Sequence, residues 1–238
     1  MRRPAERPGA VVFDLDGTLV DSVPDLAAAV NAMLADLGCA GLSQRLIGSL
    51  IGGGVDRLVS RALAESGYAP AGSGMPEQAM QSFTRYYSAR LFDRSRLYPG
   101  VIEGLDALAA LGVGLGVATN KAGIFTRPLL AAAGLGGRFA VVLCADREED
   151  RKPAPVLLEA AARGLGLPAG RVLYVGDSAV DAAAARAAGC PVALVDYGYN
   201  GGRLVADAGP DWVVGSIADV AAIIGSAGTA GIVGPASC

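Results

Sequence analysis

Apolar residues fall along this chain in two rhythms. Short unbroken runs occur at residues 10–13, 114–118, 139–143, 171–175, 191–195 and 212–214. Runs of this length without alternation fit strands buried on both faces of a parallel sheet. Between them the segments GVIEGLDALAALG, PAPVLLEAAARGLG and DAAAARAAG place apolar residues at helical spacing, and each closes on a Gly suited to a helix C-cap. Strand alternating with helix predicts an α/β fold with a Rossmann-like, doubly wound parallel sheet.

One region breaks the alternation. VPDLAAAVNAMLADLG, SQRLIGSLI, VDRLVSRALAESG and PEQAMQSFTRYYSARLF all carry apolar residues three and four apart, and no strand pattern separates them. The expectation is an all-helical cap over residues 22–95, inserted into a catalytic core of residues 1–21 and 96–238, with linkers near residues 20–23 and 95–99. The opening MRRPAERPGA has positive charge but no apolar stretch behind it, and reads as a frayed tail rather than a signal peptide. The last 19 residues carry no charged side chain. Gly, Ala and Ser dominate them and Pro235 interrupts them, so a short helix with a loose tail is expected there, and no membrane span.

Composition narrows the chemistry. The 238 residues carry a net charge of -3, which leaves no basic footprint for nucleic acid. There is no histidine, which excludes Ser-His-Asp catalysis, zincin-type metal sites and a phosphohistidine. The four cysteines (Cys39, Cys144, Cys190, Cys238) are scattered and form no CxxC, so neither a thiolate zinc site nor a disulfide framework is expected, and the cytoplasm is the expected compartment. Cys39 and Arg45 match the C-x5-R spacing of thiolate phosphatases. They follow a helix, where that chemistry needs a strand leading into a phosphate-binding helix N-terminus, and they are set aside.

The stretch VVFDLDGTLVDS ends an apolar run in two carboxylates, Asp14 and Asp16, followed by Gly17 and Thr18. Burying like charges is costly unless a cation or a reaction uses them. Two further runs also end in polar groups, Thr119-Asn120 and Gly176-Asp177-Ser178, with Asp181 one helical turn on. Strand C-termini of an open parallel sheet share one crevice, where ligands bind. Asp14, Asp16 and Asp177, with Asp181 behind them, would repel one another there. All-oxygen donors point to Mg²⁺ as the relieving cation. Lys152 in RKPAP is expected at a helix start, with Pro153 near the first helical position, reaching the same crevice as a point charge for a phosphate. This inventory suits phosphoryl transfer through an aspartyl-phosphate. Asp14 would attack phosphorus, and Asp16 would protonate the leaving alkoxide and then deprotonate the hydrolytic water.

FDLDGTLVDS, VATN, the Lys-Pro of RKPAP and VGDSAVD resemble, in order, the four motifs of the haloacid dehalogenase superfamily of phosphatases, and the likeness covers nearly the whole chain. The helical insert resembles that superfamily's cap placed after the first motif. DSVPDLAAAVNAML, IGGGVDRLVSRAL, ARAAGCPV and YGYNGG resemble its bacterial phosphoglycolate phosphatases. The resemblance implies Asp14 as nucleophile and metal ligand. It implies Asp16 as acid/base with its carbonyl on the metal, Asp177 as metal ligand, and Asp181 holding the metal or its water. It implies Thr119, the Asn120 amide and Lys152, with Gly17, as phosphate ligands. Val180 stands where Asn is frequent, which removes a hydrogen bond near the metal, and Ala122 stands where Pro is common.

In the expected cap, Gly52-Gly53-Gly54 precedes Arg57, and Arg57 with Gly53 is the candidate for contact with a substrate carboxylate. The expected activity is Mg²⁺-dependent hydrolysis of a small phosphomonoester, with 2-phosphoglycolate favoured, by a monomer or homodimer. The alternatives are a sugar-phosphate phosphatase, a phosphosugar mutase and, from another class, a non-catalytic receiver-like phosphate-binding domain. Asp16 and the cap argue against the last. Dehalogenation has no leaving alkoxide for Asp16 to protonate.

Overall fold

The computed structural model describes residues 7–68 and 76–229. Of the frayed tail expected over residues 1–10, the first six lie outside the described residues, as do the tail and Cys238 from residue 230 on. Gly9 and Ala10 are not frayed: the Gly9 N–H donates to the Arg171 carbonyl, the Gly9 carbonyl accepts from the Gly114 N–H, and Ala10 begins the first strand. In chain order the elements are β1 (Ala10–Phe13), β2 (Val20–Asp21), α1 (Val23–Asp36), α2 (Gln44–Leu50), α3 (Val55–Glu65), α4 (Glu77–Ser88), β3 (Arg96–Leu97), α5 (Val101–Ala110), β4 (Gly114–Thr119) and α6 (Gly123–Ala132). They continue as β5 (Val141–Cys144), α7 (Val156–Gly164), β6 (Val172–Gly176), α8 (Ala179–Ala188), β7 (Val192–Val195), β8 (Trp212–Val214) and α9 (Ile217–Thr229).

Six strands form one parallel sheet in the order β5-β4-β1-β6-β7-β8. Strands β1, β6 and β7 are buried along their whole length, which is why their sequences are continuously apolar. One apolar layer packs β1 Val11 and Phe13 with Leu105 of α5 and Ile224 of α9; the other packs Val12 and Tyr174 with α7 and α8. β5 begins two residues later than its apolar run suggests. It is an edge strand and only half buried, and Phe139 ahead of it turns to meet Phe13 edge-on, ring centroids 6.5 Å apart. No helix among the described residues is long and apolar enough to cross a membrane.

A third apolar cluster lies apart from the sheet, built from α1 to α4 and joined by Phe125 of α6. Phe125 stacks edge-on against Tyr87 of α4 at 5.1 Å. The chain enters and leaves these helices through β2 and β3, which pair antiparallel (Val20 with Leu97, Asp21 with Arg96). Two-residue strands are too short to show a period, so the sequence reading has only linkers there.

Buried Asp25 in the first turn of α1 clamps the two crossings. It accepts hydrogen bonds from the Arg94 N–H (2.8 Å), the Ser95 N–H (2.9 Å) and the Ser95 hydroxyl (2.5 Å). Asp25→Ala strands three donors, two of them on a fully buried residue, and is expected to cost about 3 kcal/mol. Urea unfolding should show this as a lower midpoint at unchanged slope.

Candidate active site

β4, β1 and β6 are adjacent at the centre of the sheet, and their C-terminal ends open on one crevice. Asp14 follows β1, its N–H bonded to the Val175 carbonyl of β6 at 2.8 Å. Thr119 closes β4, Asp177 follows β6, and Asp181 sits in the first turn of α8. A cavity of about 570 Å³ collects Asp14, Asp16, Thr119, Asn120, Lys152, Asp177 and Asp181 on one wall. Residues 52–54, Arg57 and Arg61 from the helical layer form the opposite wall.

Lys152 lies at the centre of the acids. Its ammonium is 2.9 Å from Asp14 Oδ2 and 2.7 Å from Asp181 Oδ1, and it donates to the Tyr174 hydroxyl at 2.8 Å. It differs from expectation in its setting. α7 starts at Val156, and Lys152 is held in the loop before it. A residue preceding proline is turned away from helical geometry, and Pro153 and Pro155 apply this to Lys152 and Ala154. The Asn120 side chain braces that loop. Its Oδ1 accepts from the Lys152 N–H (2.7 Å), and its Nδ2 donates to the Lys152 carbonyl (3.2 Å) and across the cavity to the Gly52 carbonyl (2.9 Å).

A second lysine, absent from the sequence reading as a site residue, pairs with Asp16. Lys121 Nζ is 3.0 Å from Asp16 Oδ2 and donates to the Tyr87 hydroxyl of α4 at 2.7 Å. Its position directly after Thr119-Asn120 was the available signal. Charge alone did not separate it from a solvated lysine.

Four carboxylates therefore face two ammonium groups, and with every acid ionised two negative charges would be left unbalanced. Burial pushes the Asp14 carboxyl up to about 6 against the pull of Lys152, with Asp181 adding to the rise. Burial, then the charges of Asp181 and Asp14, raise Asp177 well above the carboxylate range. Burial acts on Asp181 as well, but Lys152 and the Ser178 hydroxyl hold it below its ordinary value. Burial disfavours the charged form of Lys152, yet Asp14 and Asp181 outweigh it and keep the ammonium protonated.

The donor set fits a hard divalent cation. Carboxylate oxygens of Asp14, Asp177 and Asp181 lie within 4.8 Å of one another, and Asp14 Oδ1 is buried with no hydrogen-bond partner. Asp181 already accepts from Lys152 and Tyr174 on one oxygen, and from Ser178 and the Asp177 N–H on the other. Val180 is exposed at the cavity wall, and Ser178 provides a side-chain hydrogen bond to Asp181.

Two expected ligands sit differently. The Gly17 N–H is used in a turn to the Val20 carbonyl (2.9 Å), and Gly17 does not line the cavity. With φ at 88° and Tyr199 Cδ2 only 2.9 Å from where a Cβ would stand, this glycine makes room for Asp177 and Tyr199. Arg57 pairs with Glu148 at 2.9 Å, and beside it Asp56 pairs with Arg151 at 2.7 Å. These two ion pairs tie the start of α3 to the loop that carries Lys152. Gly53 lines the cavity and packs against the Arg57 stem. Arg61, one turn further along α3, lines the cavity with no carboxylate partner among the described residues.

Known proteins resemble this chain in sequence and fold. The sequence profile of the haloacid dehalogenase-like hydrolases matches residues 11–195. A phosphoglycolate phosphatase of Thiobacillus denitrificans is 43% identical over 90% of this chain and 95% of its own length. One from Nitrosospira multiformis is 44% identical over 90% and 95%. The solved structure of a predicted phosphoglycolate phosphatase from Haemophilus somnus 129pt superposes with a TM-score of 0.85 at 36% identity, covering 92% of this chain and 99% of that one. With four carboxylates and two lysines gathered at the strand ends and relatives of this kind over nine-tenths of its length, the chain belongs to the haloacid dehalogenase-like hydrolases and is a phosphoric monoester hydrolase close to the phosphoglycolate phosphatases.

Proposed function

We propose that this phosphatase hydrolyses 2-phosphoglycolate to glycolate and phosphate, with Mg²⁺ at Asp14, Asp177 and the Asp16 carbonyl, and Asp181 acting through a bound water. The observation that carries the metal and the mechanism is the crowding of three acids within 4.8 Å around an unpartnered, buried Asp14 oxygen. The substrate reading rests on the named relatives and on Arg61, a cation lining the cavity that the acids also line.

In this reading the Asp14 carboxylate forms a bond to phosphorus as the ester P–O bond breaks. The departing alkoxide takes a proton from Asp16. Asp16 then accepts a proton from the water that opens the aspartyl-phosphate, which frees phosphate and restores Asp14. Lys121 fixes the position of Asp16. Lys152 and the Thr119 hydroxyl face the charge on the transferring group. When bound, the cation supplies further charge to the phosphoryl oxygens and relieves the repulsion among the acids. The helices of residues 22–95 act as a lid, which Arg57–Glu148, Asp56–Arg151 and the Asn120–Gly52 hydrogen bond hold against the core when it is closed.

Arg61, with Arg57 committed to Glu148, recognises the substrate carboxylate. A charge-assisted bond of about 1.5–3 kcal/mol corresponds to a ten- to hundredfold effect. Phosphate release should be measured on 2-phosphoglycolate, phospholactate, glucose 6-phosphate and an aryl phosphate, each with Mg²⁺ and with chelator. The expected result is chelator-sensitive preference for 2-phosphoglycolate. Arg61→Ala should lose about ten- to hundredfold in kcat/KM on the carboxylate esters alone. Arg57→Ala removes an exposed ion pair of the lid and no substrate contact, so it should lower all substrates alike, by about a few-fold at most. Equal losses on all esters in Arg61→Ala would remove the carboxylate contact. A higher kcat/KM on glucose 6-phosphate would move the substrate to the sugar phosphates, which a cavity of about 570 Å³ has room to hold.

A further inference from the structure

The Tyr-Gly-Tyr-Asn stretch after β7 enters none of the steps above, yet it touches both the acid cluster and the lid. The Tyr199 N–H donates to Asp177 Oδ2. This close approach needs Gly198, because a Cβ there would collide with Asp177 and with the Gly17 carbonyl. The tyrosine hydroxyl reaches back to the start of α1. It accepts from the Ser22 N–H (2.7 Å) and the Val23 N–H (3.2 Å), and donates to Asp21 Oδ1 (2.7 Å). Burial, with Tyr98 and Asp21 nearby, pushes its ionisation far above the usual phenol range, so it keeps the proton it donates.

These contacts stand in for a missing helix cap. Ser22, at the N-cap of α1, has φ -97° and ψ -4° and makes no side-chain capping bond. Its own hydroxyl is buried without a partner. The Ser22 and Val23 N–H groups, at the N-cap and first helical positions and so without intrahelical acceptors, are bound by a hydroxyl from 177 and 176 residues away. Asp21, Ser22 and Val23 are the residues through which the chain passes from β2 into the helical layer.

We propose that Tyr199 is a positioning residue that couples the Asp177 carboxylate to the hinge of the lid, so that engagement of Asp177 by a cation biases the hinge. The proposal rests on the reading of Asp177 as a cation ligand and of residues 22–95 as a lid. One ring with its backbone amide on Asp177 and its hydroxyl on the hinge amides transmits a displacement at either end to the other, and such coupling is reciprocal. Tyr199→Phe keeps the ring and the amide and deletes only the hydroxyl.

Hydrogen exchange at Ser22 and Val23, with and without saturating Mg²⁺, tests the coupling, and calorimetry of Mg²⁺ binding runs beside it. In the wild type Mg²⁺ alone should slow exchange at both amides. In Tyr199→Phe these amides should exchange on the order of tenfold faster, β1 and β6 should be unchanged, and the Mg²⁺ response should vanish although Mg²⁺ still binds. With the closed lid less populated, KM should rise about fivefold with kcat nearly constant. A wild-type hinge indifferent to bound Mg²⁺, or a Mg²⁺ response that survives in Tyr199→Phe, would overturn the coupling and leave the metal site standing. Absence of Mg²⁺ binding to the wild type would overturn both, and the isotherm identifies that case.

Discussion

Asp14→Asn should abolish turnover of every phosphomonoester while leaving the protein folded. The amide keeps the shape of the side chain but removes the atom that would bond to phosphorus, and loss of a covalent nucleophile costs on the order of 10⁴–10⁶ in kcat. Retention of even one per cent of wild-type phosphate release would sink the nucleophile assignment. Stability should move in the opposite direction. Asp14 is buried, with its carboxyl raised to about 6 from 3.8. A carboxyl raised in this way stabilises the fold only while it is protonated: the contribution is intact below about 3.8 and lost as pH rises through about 6. Asparagine does not titrate. With chelator present, the melting-temperature difference between variant and wild type should therefore shift in favour of Asn as pH climbs from 4 to 7. A difference that is flat across this window would show that Asp14 does not carry the strain of the cluster.

Lys152→Ala should be both inactive and unstable, and this separates it from the nucleophile variant. Its ammonium is the shared partner of Asp14 and Asp181, all three nearly buried. Removing one member of a buried ion-paired group leaves the other charges uncompensated, at about 3–5 kcal/mol. The Tyr174 hydroxyl loses a donor as well. Loss of a charge aimed at the transferring group adds about 10²–10³ in kcat. Urea unfolding and phosphate release on the same preparation check both effects. A Lys152→Ala protein with wild-type stability would mean that the acids relax apart, and the repulsion invoked for the cation site would then be weaker than the geometry states.

Much of the site was legible in the chain. Asp14, Thr119 and Asp177 stood at the ends of continuous apolar runs. In a parallel sheet with helical crossovers every strand end of that kind faces the same edge. Asp181 followed from one helical turn of spacing. Lys152 was placed in the right crevice but on the wrong element, because the helical pattern of its neighbours hid the effect of Pro153 and Pro155. Arg57 was expected to meet a substrate carboxylate, and the structure pairs it with Glu148 instead, a partner that no local pattern announces.

The sequence by itself determined the alternation of buried strands and helices, the helical stretch between the first two long strands, and the collection of acids at one sheet edge. These follow from local periodicity and from the direction in which parallel strands run. Only the tertiary structure decided the pairings: Lys121 with Asp16 across 105 residues, Arg57 with Glu148 across 91, and Tyr199 with the Ser22 amide across 177. The physical reason is that such contacts depend on how loops of separate elements pack once the sheet has formed. No periodicity within any one segment encodes the partner that arrives from another.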